Sequence, residues 1–155
     1  MSIKQLLLVA HAPSENTQRM AEAVLRGANH PDIDAVQCRW VEPLQATPED
    51  ILGCDAIILG TTENLGYMSG ALKDFFDRCY YPVLELKQGL PCALYVRAGH
   101  DGTGTCRGVE TICTGLRWHW IQPPLVCRGD WDEAFLQQCE TLGMTMAAGI
   151  EMGIY

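Results

Sequence analysis

"LLLVAHAPSENTQRMAEAV", residues 6–24, is the segment from which the architecture can be worked out. A run of strand-forming residues enters a short polar loop, residues 11–17, and leaves it as a helix whose apolar side carries Met20, Ala21, Val24, Leu25 and Ala28. Strand, tight polar loop and helix N-terminus together form an arrangement that holds a phosphate. The loop has no lysine, and the Gly-x-x-x-x-Gly-Lys-[Ser/Thr] pattern of nucleoside triphosphate loops is missing. What remains is the hydroxyls of Ser14 and Thr17 and the amides of Glu15, Asn16, Thr17 and Gln18. Those donors suit one compact dianion, such as a phosphate monoester, with the Glu15 carboxylate turned away. The plain structural alternative is that Ser14 or Asn16 simply caps a helix.

Working outward, two further apolar runs match the first: "AIILG" at 56–60 and "CALYV" at 92–96. Strands buried on both faces read this way, which marks a parallel sheet covered by helices. Two other segments differ. "DAVQCRWVE" alternates, with Val36, Cys38 and Trp40 on one side and Gln37 and Arg39 on the other. "WIQPPLVCRG" holds Pro123 and Pro124, which a central strand cannot accommodate. Both are therefore expected at sheet edges.

Helical patterns alternate with these strands. "TPEDIL" offers Thr47 as N-cap and Pro48 at the first helical position. Leu72, Phe75, Phe76, Cys79 and Tyr80 form a buried stripe, with Lys73–Asp77 and Asp74–Arg78 as i,i+4 pairs outside it. Val109, Ile112, Cys113 and Leu116 form another. A last helix is expected from Asp130, with Glu133 completing a capping box, and continues through Phe135, Cys139, Leu142 and Met146. The chain thus reads as βα five times over, a single domain of residues 1–155. Right-handed crossovers predict an α/β fold with a five-stranded parallel sheet of order 2-1-3-4-5.

Composition narrows the function. Lys plus Arg is 11 against 19 for Asp plus Glu, a formal charge of −8, so neither nucleic acid nor an anionic membrane is an expected partner. No basic segment precedes a long apolar run, so neither a signal peptide nor a membrane span is expected, and the location is expected to be cytoplasmic. The eight cysteines include no Cys-x-x-Cys pair, and the four histidines are scattered. Reduced thiols and no metal site follow.

Ligands of such sheets lie beyond the carboxyl ends of the strands. The three central strands end in "HAPSENT" (11–17), "TTENLGYMSG" (61–70) and "RAGHDGTG" (97–104), which the strand order makes neighbours. In the second loop Asn64 and Gly66 offer hydrogen bonds, and Leu65 and Tyr67 offer apolar surface to a flat ring. As bare structure the same segment is a helix entry capped by Ser69, with Tyr67 and Met68 packing in the core. In the third loop Gly99, Gly102 and Gly104 permit close backbone approach, and His100 and Asp101 are polar contacts for a ring edge. Without a ligand it is a mobile turn.

Here the residues reach a resemblance. "HAPSENTQRMAEAV" resembles the phosphate loop of flavodoxin-like proteins. "GTTENLGYMSGALKDFFDRCYYP" closely resembles a segment of the NAD(P)H-dependent FMN reductase and multimeric flavodoxin-like quinone reductase group. "AGHDGTGTCRGVETICTGLRW" is similar to that group's third loop and following helix. The match runs from Leu6 to about Val126 and departs from the pattern at Ala12, Glu15 and Thr62.

The resemblance implies a flavodoxin-like three-layer αβα sandwich with FMN at the point where strands one and three part. It implies cofactor contacts from His11, Ser14, Glu15, Asn16 and Thr17 in the first loop. Thr62, Glu63, Asn64, Leu65, Gly66 and Tyr67 would lie beside the isoalloxazine, and Gly99, His100, Asp101 and Gly102 on its other side. The expected function is hydride transfer from NADH or NADPH through FMN to a quinone, a free flavin or a similar small acceptor, with no catalytic acid or nucleophile. The alternative is a flavodoxin-type one-electron carrier. Enzymes of this group assemble as homodimers or homotetramers, for which Trp118, Trp120 and Trp131 are candidate interface residues. Two functions that share the topology are disfavoured. A receiver domain needs acidic residues where His11-Ala12 and Thr61-Thr62 stand, and no cysteine has the arginine six positions on that a small phosphatase needs.

Overall fold

In the computed structural model, which describes residues 2–155, the three continuous apolar runs become the centre of one sheet. The elements are β1 (Lys4–Ala10), α1 (Glu15–Ala28), β2 (Val36–Val41), α2 (Pro48–Leu52), β3 (Ala56–Asn64), β4 (Tyr67–Met68), α3 (Gly70–Val83), β5 (Pro91–Ala98), α4 (Thr103–Gly115), β6 (His119–Trp120), β7 (Leu125–Arg128) and α5 (Ala134–Met152). The strand order is β2-β1-β3-β5-β6, with β7 also beside β5 and β4 beside β3. All pairings are parallel except β3–β4.

Each central strand buries both faces, which is why its sequence is continuous rather than alternating. Leu6, Leu8 and Ala10, with Ala56, Ile58, Ala93 and Tyr95, pack against α1 and α5. Leu7 and Val9, with Ile57, Leu59, Leu94 and Val96, pack on the other side against Ile51 of α2, Phe75 and Phe76 of α3 and Val109 of α4. The ion pairs expected along α3 form, Lys73–Asp77 and Arg78–Asp74 each at 2.6 Å. Among the described residues no helix is long and apolar enough to cross a membrane.

The structure departs from the sequence expectation in three places, each with a physical cause. The fifth strand is two pieces: β6 pairs with Pro91 and Cys92, β7 with residues 95–98, and residues 121–124 bow out opposite Ala93 and Leu94. Pro123 and Pro124 have no N–H for the ladder, so the chain leaves it there. The segment 61–70 is largely a β-hairpin and not an open loop, because β3 continues to Asn64 and β4 returns along it. The sheet therefore has seven strand segments where five were expected. Finally, α5 begins at Ala134 and no capping box forms with Glu133. Asp132 accepts from the Ala134 amide at 2.9 Å, while the Glu133 carboxylate is taken by Arg19 of α1 and by the neighbouring Trp131 indole.

Candidate functional site

The loop after β1 is fastened at its base. The His11 amide donates to the Gly60 carbonyl at 3.0 Å, and the Trp40 indole donates to the Ala10 carbonyl at 3.1 Å. Ser14 then caps α1 in a reciprocal box with Thr17. The Thr17 amide donates to Ser14 Oγ at 3.2 Å, and the Ser14 amide donates to Thr17 Oγ1 at 2.9 Å. Thr17 Oγ1 also donates to the Ser14 carbonyl at 3.0 Å. Ser14 Oγ and Thr17 Oγ1 also lie 2.8 Å apart, either able to donate to the other, so both hydroxyls are engaged in the cap; Ser14 is the exposed one and Thr17 the buried one. The first-turn amides of Glu15 and Asn16 have no partner within the helix, as helix geometry requires.

The loop after β3 turns at Leu65 and Gly66, both with positive φ, 52° and 76°. A two-residue hairpin turn of this kind wants positive φ at both positions; glycine adopts it freely and leucine does not. Leu65 is fully exposed at the tip. Tyr67 lies against Gly108 of α4, and the Gly66 carbonyl sits where a side chain on Gly104 would go. The second loop therefore leans on the helix that follows the third. Thr62 Oγ1 donates to Asn64 Oδ1 at 2.8 Å, and Ser69 caps α3, accepting from the Leu72 amide at 3.2 Å.

The third loop is fixed by the second. The Glu63 carboxylate accepts from the amides of His100 and Gly102, both at 2.8 Å. Gly102, with φ 71°, is the N-cap of α4 and has no side chain to satisfy the helix. Asp101 accepts from the Thr103 amide at 3.0 Å, which holds its carboxyl below the usual range. Gly99 has open space above its Cα, and His100 and Asp101 are exposed.

All the residues expected from sequence thus lie on these three loops at one edge of the sheet, and three others join them. Arg19 donates to Asn16 Oδ1 at 3.1 Å and is paired with Glu133 at 2.7 Å. The Trp131 indole donates to Glu133 at 2.6 Å, and Arg19 lies 5.7 Å from the Trp131 ring centre. Hydrogen bonds from Arg19 and then Trp131 pull the Glu133 carboxyl below its ordinary range. The Asn16–Arg19 spacing was visible in the sequence; the pairing across 114 residues to Glu133 was not. Of the three tryptophans considered for an interface, Trp118 is buried in the core and Trp131 packs beside Phe135. Two clefts of ≈ 370 and ≈ 460 Å³ flank α4 near Pro124, and they share only Asp101 with the expected site residues. In the loop cluster itself Ser14, Leu65, Gly99, His100 and Asp101 are exposed to solvent.

No protein-family model matches the chain. Over 113 residues, 72% of its length, the chain is 34% identical to a flavodoxin of Aquifex aeolicus (strain VF5). It spans 57% of that relative's length. Among solved structures it is similar to a flavodoxin from the domain Archaea, with TM-score 0.81 and 20% identity over 95% of this chain and 99% of the other. It is also similar to a WrbA-like flavodoxin from Agrobacterium tumefaciens, with TM-score 0.74 and 18% identity over 97% and 98%. In its strand order, its layers and these likenesses, the chain has the flavodoxin-like fold.

Proposed function

We propose that the protein binds FMN across the three loops and acts as a flavodoxin-type electron carrier. The observation that carries this reading is the joining of the second and third loops by Glu63, beside a first loop whose donors face the same edge. The residues fit the group. The Ser14 hydroxyl, the Asn16 carboxamide and the amides of Glu15 and Asn16 are all donors, as a phosphate monoester requires. Leu65 offers an exposed apolar side chain, and Gly99 leaves room for a ring to approach backbone.

When bound, FMN supplies the redox chemistry, and the protein supplies position, electrostatics and access. In this reading Ser14 and Asn16 hold the phosphate end. Leu65, Tyr67 and the 99–102 backbone would shield the ring from water. A charge of −8 and the likeness to the Aquifex flavodoxin favour a carrier.

One observation favours a second reading, an NAD(P)H-dependent reductase that passes electrons to a quinone or flavin. The third loop has no Trp, Tyr or Phe, so a ring seated there would keep a face open for a nicotinamide to stack. The test is titration of the purified protein with FMN, followed in the visible spectrum, and then one equivalent of NADPH or NADH. Bound flavin that stays oxidised until a partner reductase is added supports the carrier. Prompt bleaching by the nucleotide alone supports the reductase, and a free-flavin spectrum throughout overturns both.

A further inference from the structure

We propose that Arg19 is a positioning residue that fixes the orientation of the Asn16 carboxamide toward the anion, and that the turn between β7 and α5 holds Arg19 in place; this rests on the FMN reading above. A guanidinium has five N–H donors and no acceptor. Arg19 Nη1 donates to Asn16 at 3.1 Å, so the amide must present Oδ1 to the arginine and its NH2 group elsewhere. Two donors are then available at the first turn of α1. An unrestrained carboxamide is free to rotate by half a turn and set its oxygen against a dianion.

Arg19 is held from the far end of the chain. Its Nη2 donates to Glu133 Oε1 at 2.7 Å and its Nη1 to Glu133 Oε2 at 3.1 Å, a two-pronged grip that a planar guanidinium matches and a lysine does not. Glu133 is braced in turn by the Trp131 indole at 2.6 Å. Arg97 lies 5.7 Å from the same Trp131 ring and 5.1 Å from that of Phe135, and it donates to the carbonyls of Ala98 and Cys127 at 3.1 Å. The grip is therefore rooted in β5 and β7. Because Glu133 offsets its charge, Arg19 contributes orientation to the site and little net positive field.

The experiment compares FMN with riboflavin, which lacks the phosphate, by quenching of flavin fluorescence. Wild type, Arg19→Gln, Asn16→Ala and the double variant are titrated. Arg19→Gln is expected to weaken FMN binding roughly five- to tenfold, the scale of one hydrogen bond, and to leave riboflavin binding unchanged. In the Asn16→Ala background it is expected to have no further effect. In the flavin-free protein, the Asn16 side-chain amide resonances are expected to move in Arg19→Gln, a readout independent of any ligand. Wild-type affinity for FMN in Arg19→Gln, equal losses for FMN and riboflavin, or additive losses in the double variant each overturn the assignment alone. A wild-type chain that binds no FMN overturns the cofactor reading and this assignment together.

Discussion

Glu63 accepts a hydrogen bond from the Gly102 amide across 39 residues of sequence, at 2.8 Å, and its second oxygen accepts from His100 at the same distance. One side chain at the end of β3 thereby holds the backbone of the third loop up to the residue that opens α4. Glu63→Gln keeps the shape but leaves only one accepting oxygen, so one of the two amides loses its partner. The expected cost is about 1–2 kcal/mol of stability. Hydrogen exchange at the His100 and Gly102 amides is the measurement; protection equal to wild type at both would show that the carboxylate does not hold the loop.

Leu65 occupies a left-handed conformation, φ 52°, with its side chain fully in solvent. Its own side chain makes no burial that would offset the strain. Leu65→Asn, which with Gly66 makes the favoured Asn-Gly turn, is expected to stabilise the flavin-free protein by about 0.5–1 kcal/mol in urea unfolding. It is also expected to weaken FMN binding, since the apolar surface beside the ring is lost. Unchanged stability together with unchanged affinity in Leu65→Asn would remove both arguments.

Exposure separates the two hydroxyls of the capping box, which look equivalent in sequence: Ser14 is at the surface and Thr17 is buried. Ser14→Ala is expected to cost about 1 kcal/mol as a lost cap and to weaken FMN binding by roughly 1–3 kcal/mol as a lost donor to a charged group. Thr17→Ala removes an acceptor for the Ser14 amide, so its stability loss is expected to be similar and its affinity loss the smaller of the two. Calorimetric titration of both variants decides the order. A larger affinity loss for Thr17→Ala would make Thr17 the direct ligand of the phosphate.

Acid stability has one identifiable contributor away from the loops, at the start of α2. Burial alone would raise the Asp50 carboxyl. The 2.6 Å bond from Arg39 and the bonds from Thr47 outweigh it and hold Asp50 below its ordinary value. Because the folded pKa is the lower one, the stabilisation is complete above the unfolded value near 4 and is lost as pH falls through the folded value. Asp50→Asn is therefore expected to be less stable than wild type at neutral pH, with the gap closing below about pH 4. Urea midpoints at pH 7, 5 and 3 test this; a gap constant across that range would exclude the carboxylate as its source.

Hydrophobic patterning along the chain was enough for the layered sheet, its strand order and the meeting of three loops. Those follow from hydrophobic continuity in residues 6–10, 56–60 and 92–96, and from Pro123 and Pro124 excluding a central position. Burial patterns of this kind are summed over many neighbouring residues and survive errors at any one of them. Three features emerge only from packing: 61–70 is a hairpin seated on α4, Glu63 holds the third loop, and Glu133 clasps Arg19 instead of capping its own helix. A polar side chain has a few bonds to give, and which distant group claims them depends on how closely whole helices and strands pack. That spacing has no signature in local sequence.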